Sequence, residues 1–218
     1  MMRSLLRRGP VLFAAALAMS VVASATASAA KPEFSGSFPN NFQYKGGSVS
    51  FANAKGGTTF QCLNSTGEGS LTSAKAGTIK FSFTGCETGG ATWTSEGATR
   101  GEIRSAVLPI TPGYVKRVPK EVGIEINHGA AEFAGWTVGG YTGGIRGPAI
   151  ALASPLNTKT TTYTLTLSSK ELGVQSPIQF EEGPRLKLEI NILGGYWGEG
   201  ALTTKGSLVF EKALELQA

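Results

Sequence analysis

The chain contains no aspartate; all 15 of its acidic residues are glutamate. It has one histidine, His128, and two cysteines, Cys62 and Cys86. Each shortage removes a chemistry. A Ser-His-Asp triad lacks its third member, although Glu can take that place. A single His cannot build a zinc site of several imidazoles. The Asp-rich calcium loop is absent. No G-x-S-x-G elbow occurs, and the glycines from Gly139-Gly140 to Gly143-Gly144 lack the Lys-Ser/Thr ending of a phosphate loop. The sequence therefore assigns no catalytic residue, no metal and no cofactor. Lys and Arg are scattered with no basic run, so there is no nucleic-acid footprint. Beyond residue 30 no run is apolar enough to span a membrane as a helix.

The N-terminus supplies a positive signal. Arg3, Arg7 and Arg8 precede the uncharged apolar run Val11 to Ala18, and Ala27-Ser28-Ala29 forms an A-x-A cleavage site. This order is that of a secretory signal peptide. It predicts a signal helix over 1–29, a cut before Ala30, and one mature domain over 30–218. The competing reading is a retained anchor across the uncharged Gly9 to Ala30. Ser24, Thr26 and Ser28 weaken it, because a spanning helix needs about 20 mostly apolar residues. No Cys stands at the cleavage point for a lipid. Three of the 20 basic residues leave with the signal, so 17 face 15 acidic ones, a balance that concerns solubility and not a partner. The expected location is extracellular or on the cell surface.

Two cysteines in an oxidising compartment read as a Cys62–Cys86 disulfide. A loop of this size, once closed, stabilises by about 3 kcal/mol in the chain-entropy model. A reactive thiol pair and a metal site are the alternatives, and two Cys with one distant His make a poor metal site.

Period-2 alternation recurs along the chain. Ile79, Phe81 and Phe83 alternate with Lys80, Ser82 and Thr84; Val122, Ile124 and Ile126 with Gly123, Glu125 and Asn127; Tyr163, Leu165 and Leu167 with Thr162, Thr164 and Thr166. Leu186, Leu188, Ile190 and Ile192 form a fourth such face. In the last run Leu208, Phe210, Leu214 and Leu216 share one parity, broken by Lys212. Turn-forming clusters separate the runs: Lys45-Gly46-Gly47, Lys55-Gly56-Gly57, Thr88-Gly89-Gly90, Pro155-Leu156-Asn157 and Gly194-Gly195. The pattern predicts an all-β chain of ten to thirteen short strands, either an antiparallel β-sandwich or a partly closed β-barrel. Ser169 to Leu172 reads as a single turn, and Glu211 to Leu216 favours helix by composition.

From Gly56 onward the order of motifs resembles a family of uncharacterised secreted actinobacterial proteins. The matching elements are Thr59 to Cys62, Ile79 to Cys86, Thr94 to Ile103, Ala131-Glu132-Phe133, Ile145-Arg146-Gly147, Thr160 to Leu167 and Ala213 to Leu216. The resemblance implies no assigned activity. It does imply a second cysteine pair in other members, at positions near Trp93 and Gly135, and so an expectation that Trp93 packs over Gly135 here.

The candidate ligand-binding residues are Trp93, Trp136, Tyr141, Tyr196 and Trp197. Four of them lie in the aromatic–glycine stretches Gly135 to Gly144 and Gly194 to Gly200. Flat aromatic faces beside small residues suit sugar rings; equally, aromatics cover strand glycines and pack on backbone. His128 with Glu125 and Glu132, and the pair Glu181-Glu182, are the remaining titratable groupings, and neither matches a catalytic motif. Leu108 to Pro112 lacks the Gly and the hydrophobic tail of a wall-sorting signal, and Asn64-Ser65-Thr66 fits the glycosylation pattern. The expected role is non-enzymatic: an exported β-domain whose partner is a surface glycan, a surface polymer or another copy of itself. The alternatives are a small-molecule carrier barrel and a Glu-based extracellular hydrolase.

Overall fold

The computed structural model of the protein describes residues 31–54, 59–170 and 173–218. The expected signal peptide and its cut before Ala30, the expected Lys55-Gly56-Gly57 turn and the last two residues of the expected Ser169–Leu172 turn lie outside them.

The described residues form β1 (Glu33–Ser35), β2 (Asn40–Gly46), β3 (Val49–Asn53), β4 (Thr59–Cys62), β5 (Asn64–Ser73) and β6 (Ala76–Thr84). There follow β7 (Glu87–Thr88), β8 (Ala91–Thr92), β9 (Glu102–Arg104), β10 (Leu108–Arg117), β11 (Lys120–Ile126) and β12 (Glu132–Val138). The chain ends with β13 (Tyr141–Arg146), β14 (Ala149–Ser154), β15 (Lys159–Lys170), β16 (Val174–Ser176), β17 (Glu189–Asn191) and β18 (Gly198–Gln217). Ser169 and Lys170 belong to β15, not to a turn, and Glu211 to Leu216 is strand, because both segments have pairing partners that outweigh local propensity.

Eight strands close into an antiparallel barrel in the order β2-β5-β6-β10-β11-β14-β15-β18, with β18 returning to β2. The alternation read from the sequence supplies its inside. Ile79 and Phe81, Ile124 and Ile126, and Tyr163 and Leu165 all face inward and are buried. Outward stand Asn41, Gln43 and Lys45 of β2 and Glu68 and Lys80 of β5 and β6, so the wall faces water. Eight strands leave an interior just wide enough for side chains to fill, and here rings fill it. Phe42 meets Phe210 at 5.0 Å, Tyr44 meets Phe81 edge-on at 5.3 Å, and Phe34 of β1 packs on Tyr163 at 6.0 Å. Two strands make room. β14 offers only Ala149, Ala151 and Ala153, and β5 offers Gly67 and Gly69. A β-carbon on Gly69 would sit 2.4 Å from the Phe42 ring, so β5 can lie this deep only as glycine.

The remaining strands extend one end of the barrel. β3 continues β2 and β4 runs into β5, so the pair rises above the rim as one long hairpin. Pairing then runs from β3 to the first residues of β18, to β17, β13 and β12. Bridges Thr94–Thr137 and Ser105–Ala134 carry it to the segment around β9, which pairs with β6. This second circuit shares β5, β6 and β18 with the barrel. The Cys62–Cys86 disulfide forms inside it and is fully buried. The alternating run Leu186 to Ile192 lies along it, but pairs as a strand only over β17.

Twenty residues long, β18 changes partners along its length, and its frame shifts near Lys212. Side chains complete the backbone there. The Asn40 amide donates to Lys212 O at 2.9 Å, and its oxygen accepts from Lys212 N at 3.2 Å. The buried Tyr163 hydroxyl donates to Leu214 O at 2.7 Å and accepts from Leu216 N at 3.0 Å. Lys212, which interrupts the apolar parity in sequence, stands at this irregularity.

Two predictions follow from these contacts. Tyr163→Phe strands the Leu216 amide in a buried site and should lower unfolding free energy by about 1–3 kcal/mol, read from the urea midpoint; an unchanged midpoint would contradict the role given to the hydroxyl. Glu102, at the β6–β9 junction, is held down to about 2 from an ordinary 4.5 by hydrogen bonds from Arg104, then Ser82 and the Thr99 amide. A depressed carboxyl pKa stabilises above the ordinary value and loses that contribution as pH falls toward the folded one. Wild-type thermal stability should therefore drop between about pH 4.5 and about pH 2 more than that of Glu102→Gln, which should start lower at neutral pH.

Candidate functional site

The five aromatic candidates divide into two groups. Trp93 and Trp136 are core residues, 5% and 3% exposed. Trp93 stacks on Phe60 at 4.7 Å with rings 5° apart, and Phe60 stacks on Phe51 at 4.6 Å. Trp136 stands edge-on to Phe60 at 5.1 Å and donates its indole N–H to Ile192 O at 3.2 Å. It also covers its register partner Gly143, whose β-carbon position lies 2.4 Å from Trp136 Nε1. For these two the packing alternative is the one observed. Trp93 is not laid over Gly135 as the resemblance implied. The atoms nearest the missing β-carbon of Gly135 belong to the Glu132 carboxylate, and Trp93 spends its face on Phe60.

Tyr141, Tyr196 and Trp197 reach the surface at one corner of the second circuit. Their positions follow from two glycine turns. Gly139 and Gly140, both at positive φ, form the two-residue turn of the β12–β13 hairpin, and Tyr141 is the first residue after it. The β17–β18 connection turns at Gly194, also at positive φ, and Asn191 Nδ2 pins it by donating to Gly195 O at 2.8 Å. Because β13 pairs with β17, the two turns are neighbours: the Tyr141 ring edge comes within 3.8 Å of where a β-carbon would sit on Gly194. Tyr141 is 61% exposed, Tyr196 96% and Leu193 49%. Trp197 is half-buried.

An ionic row fixes Trp197. The Arg146 guanidinium lies 4.3 Å from the Trp197 ring centroid and bonds the Glu189 carboxylate at 2.9 Å. Lys187 Nζ reaches the other Glu189 oxygen at 2.6 Å, and these two cations, Lys187 foremost, hold Glu189 below the usual carboxylate range. A guanidinium over an indole is worth about 0.5–2 kcal/mol, so this ring is pre-positioned. Beside it the outer face of β12 and β13 carries Thr137, Thr142 and the register pair Gly135–Gly144, over which the Glu132 carboxylate lies. Sequence reasoning missed Arg146, Glu189 and Leu193; the only sequence sign was Arg and Glu on strands that turned out to be neighbours.

The titratable groupings do not converge. Glu181 and Glu182 are both engaged by Arg117, at 3.0 and 2.8 Å. Glu125 accepts from the Asn127 amide, and the His128 carbonyl closes a turn with Ala131 N. Among the described residues no group of three His, Cys, Asp or Glu side chains is placed to hold a metal ion, and no helix is long and apolar enough to cross a membrane. Compared with family models, curated proteins and solved structures, the chain matches none.

Proposed function

We propose that this protein is an exported, non-enzymatic β-domain that binds a hydroxyl-rich surface polymer through the aromatic corner of Tyr141, Tyr196 and Trp197. The observation that carries the reading is Tyr196, 96% exposed on a turn held by the Asn191–Gly195 hydrogen bond, with Trp197 held by Arg146 beside it. A solvent-facing ring on rigid backbone gives a ligand area at little entropic cost. The filled barrel supports recognition at the surface in preference to carriage of a small molecule inside. Among the described residues Glu102 and Glu189 are held below the usual carboxylate range, which suits ion pairs and not a general acid. The buried Cys62–Cys86 disulfide is consistent with an oxidising, extracytoplasmic compartment.

Retention on insoluble wall glycan, chitin and cellulose tests this. The protein should be retained on at least one. Tyr196→Ala combined with Trp197→Ala should weaken that retention about tenfold, equivalent to roughly 1.4 kcal/mol, while the thermal midpoint falls by no more than the few degrees that loss of the Arg146–Trp197 contact costs. No retention on any of the polymers, or equal retention of the double variant, overturns the reading.

A further inference from the structure

Away from the aromatic corner, the outer wall of the barrel is hollowed where an antiparallel barrel is normally convex. Two adjoining depressions of about 370 and 700 Å³ share Gln43, Glu68 and Lys80 and run along β5 between β2 and β6. With Gly67 and Gly69 inward, the β5 backbone lies close against the Phe42 and Phe81 rings. The trough follows β5 from Thr66 to Ser70, about 13 Å at the rise of a strand.

The side chains over this floor are polar, with Thr66 donating to the Ser82 carbonyl and Ser82 to Glu102. Register places Gln43, Glu68 and Lys80 side by side in one row, and Lys45, Thr66 and Ser82 in the next. Gln43, Lys45, Glu68 and Lys80 are exposed, and none makes a side-chain hydrogen bond or ion pair among the described residues. Glu68 and Lys80 face each other across the ladder without closing a salt bridge. Exposed Val209, the register partner of Gln43 on β18, flanks the trough on the β2 side, and exposed Val107, just before β10, flanks it on the β6 side. The backbone offers nothing: β5 is hydrogen-bonded to β2 on one side and β6 on the other throughout this stretch. A peptide therefore cannot add as a strand. A ligand here is read by amide, hydroxyl, ammonium and carboxylate groups, with C–H faces for the two valines.

We infer that the β2–β5–β6 trough is a second binding site, for a linear oligosaccharide lying along β5. It does not rest on the aromatic corner, and the two fail separately. Titration calorimetry with chitohexaose, cellohexaose and a uronic-acid hexamer tests it on the full mature chain, with Gln43→Ala, Lys80→Ala and Tyr196→Ala as variants. Binding of at least one hexamer is expected. It should be weakened about tenfold by Gln43→Ala or Lys80→Ala, stay within about twofold in Tyr196→Ala, and shift the β5 amide resonances. Failure of all three to bind at millimolar concentration overturns the inference. So does binding that Tyr196→Ala abolishes and both trough variants leave intact, or preference for an extended peptide over every hexamer.

Discussion

The structure depends on one strand satisfying two curvatures. β18 pairs with β17 and β3 in its first residues, with β2 and β15 in its middle and with β1 at its end. A strand that leaves one ring and completes another cannot keep a regular ladder along its whole length. Where the ladder lapses, around Lys212, buried amides and carbonyls need other partners or cost free energy. Asn40 and Tyr163 supply them. The Asn40 side chain imitates a neighbouring strand by giving and taking one bond with Lys212, and the Tyr163 hydroxyl bridges Leu214 and Leu216 from inside the barrel. Farther up, Gln175 performs the same task by accepting from Leu202 N and donating to Ser168 O.

The second constraint is volume. An eight-stranded barrel has room for one layer of large side chains from part of its wall, and the rest must be small. Phe42, Tyr44, Phe81, Tyr163 and Phe210 occupy that room because β5 contributes glycine and β14 alanine. The same economy recurs outside. Phe180 lies on the register pair Gly113–Gly123, and Trp136 lies on Gly143. With the interior filled by packing, both proposed binding surfaces lie on the exterior, at a corner where rings project and along a wall where glycine lets a strand sink.

How much of this the sequence showed differs by element. The runs at Ile79 to Phe83, Val122 to Ile126 and Tyr163 to Leu167 were legible because one face is core and the other water. The disulfide was legible from count and compartment. β5 was not, since its inward positions are Ser65, Gly67, Gly69 and Leu71, of which only Leu71 carries an apolar signal. Nor was closure, which rests on β15 meeting β18 some forty to fifty residues away; local periodicity is the same in a sandwich. The aromatic residues were visible as a set but could not be sorted. Trp93 and Tyr196 look alike in sequence, and only the approach of Phe60, from a distant hairpin, makes one a core residue and leaves the other in water. Lys212 broke an otherwise clean parity, and that defect marked the irregularity in β18.

Completed by side chains, β18 should make the barrel and the second circuit one cooperative unit on which both surfaces are held rigid. Native-state hydrogen exchange tests it most directly, because it reports opening free energy amide by amide. Leu202, Lys212 and Leu216 should exchange only through global unfolding, with the same denaturant dependence as Ile124 in the barrel wall. Exchange of Leu202 through a separate, lower-energy opening, or of Lys212 and Leu216 by local fraying, would show that the two circuits are independent and would contradict the account.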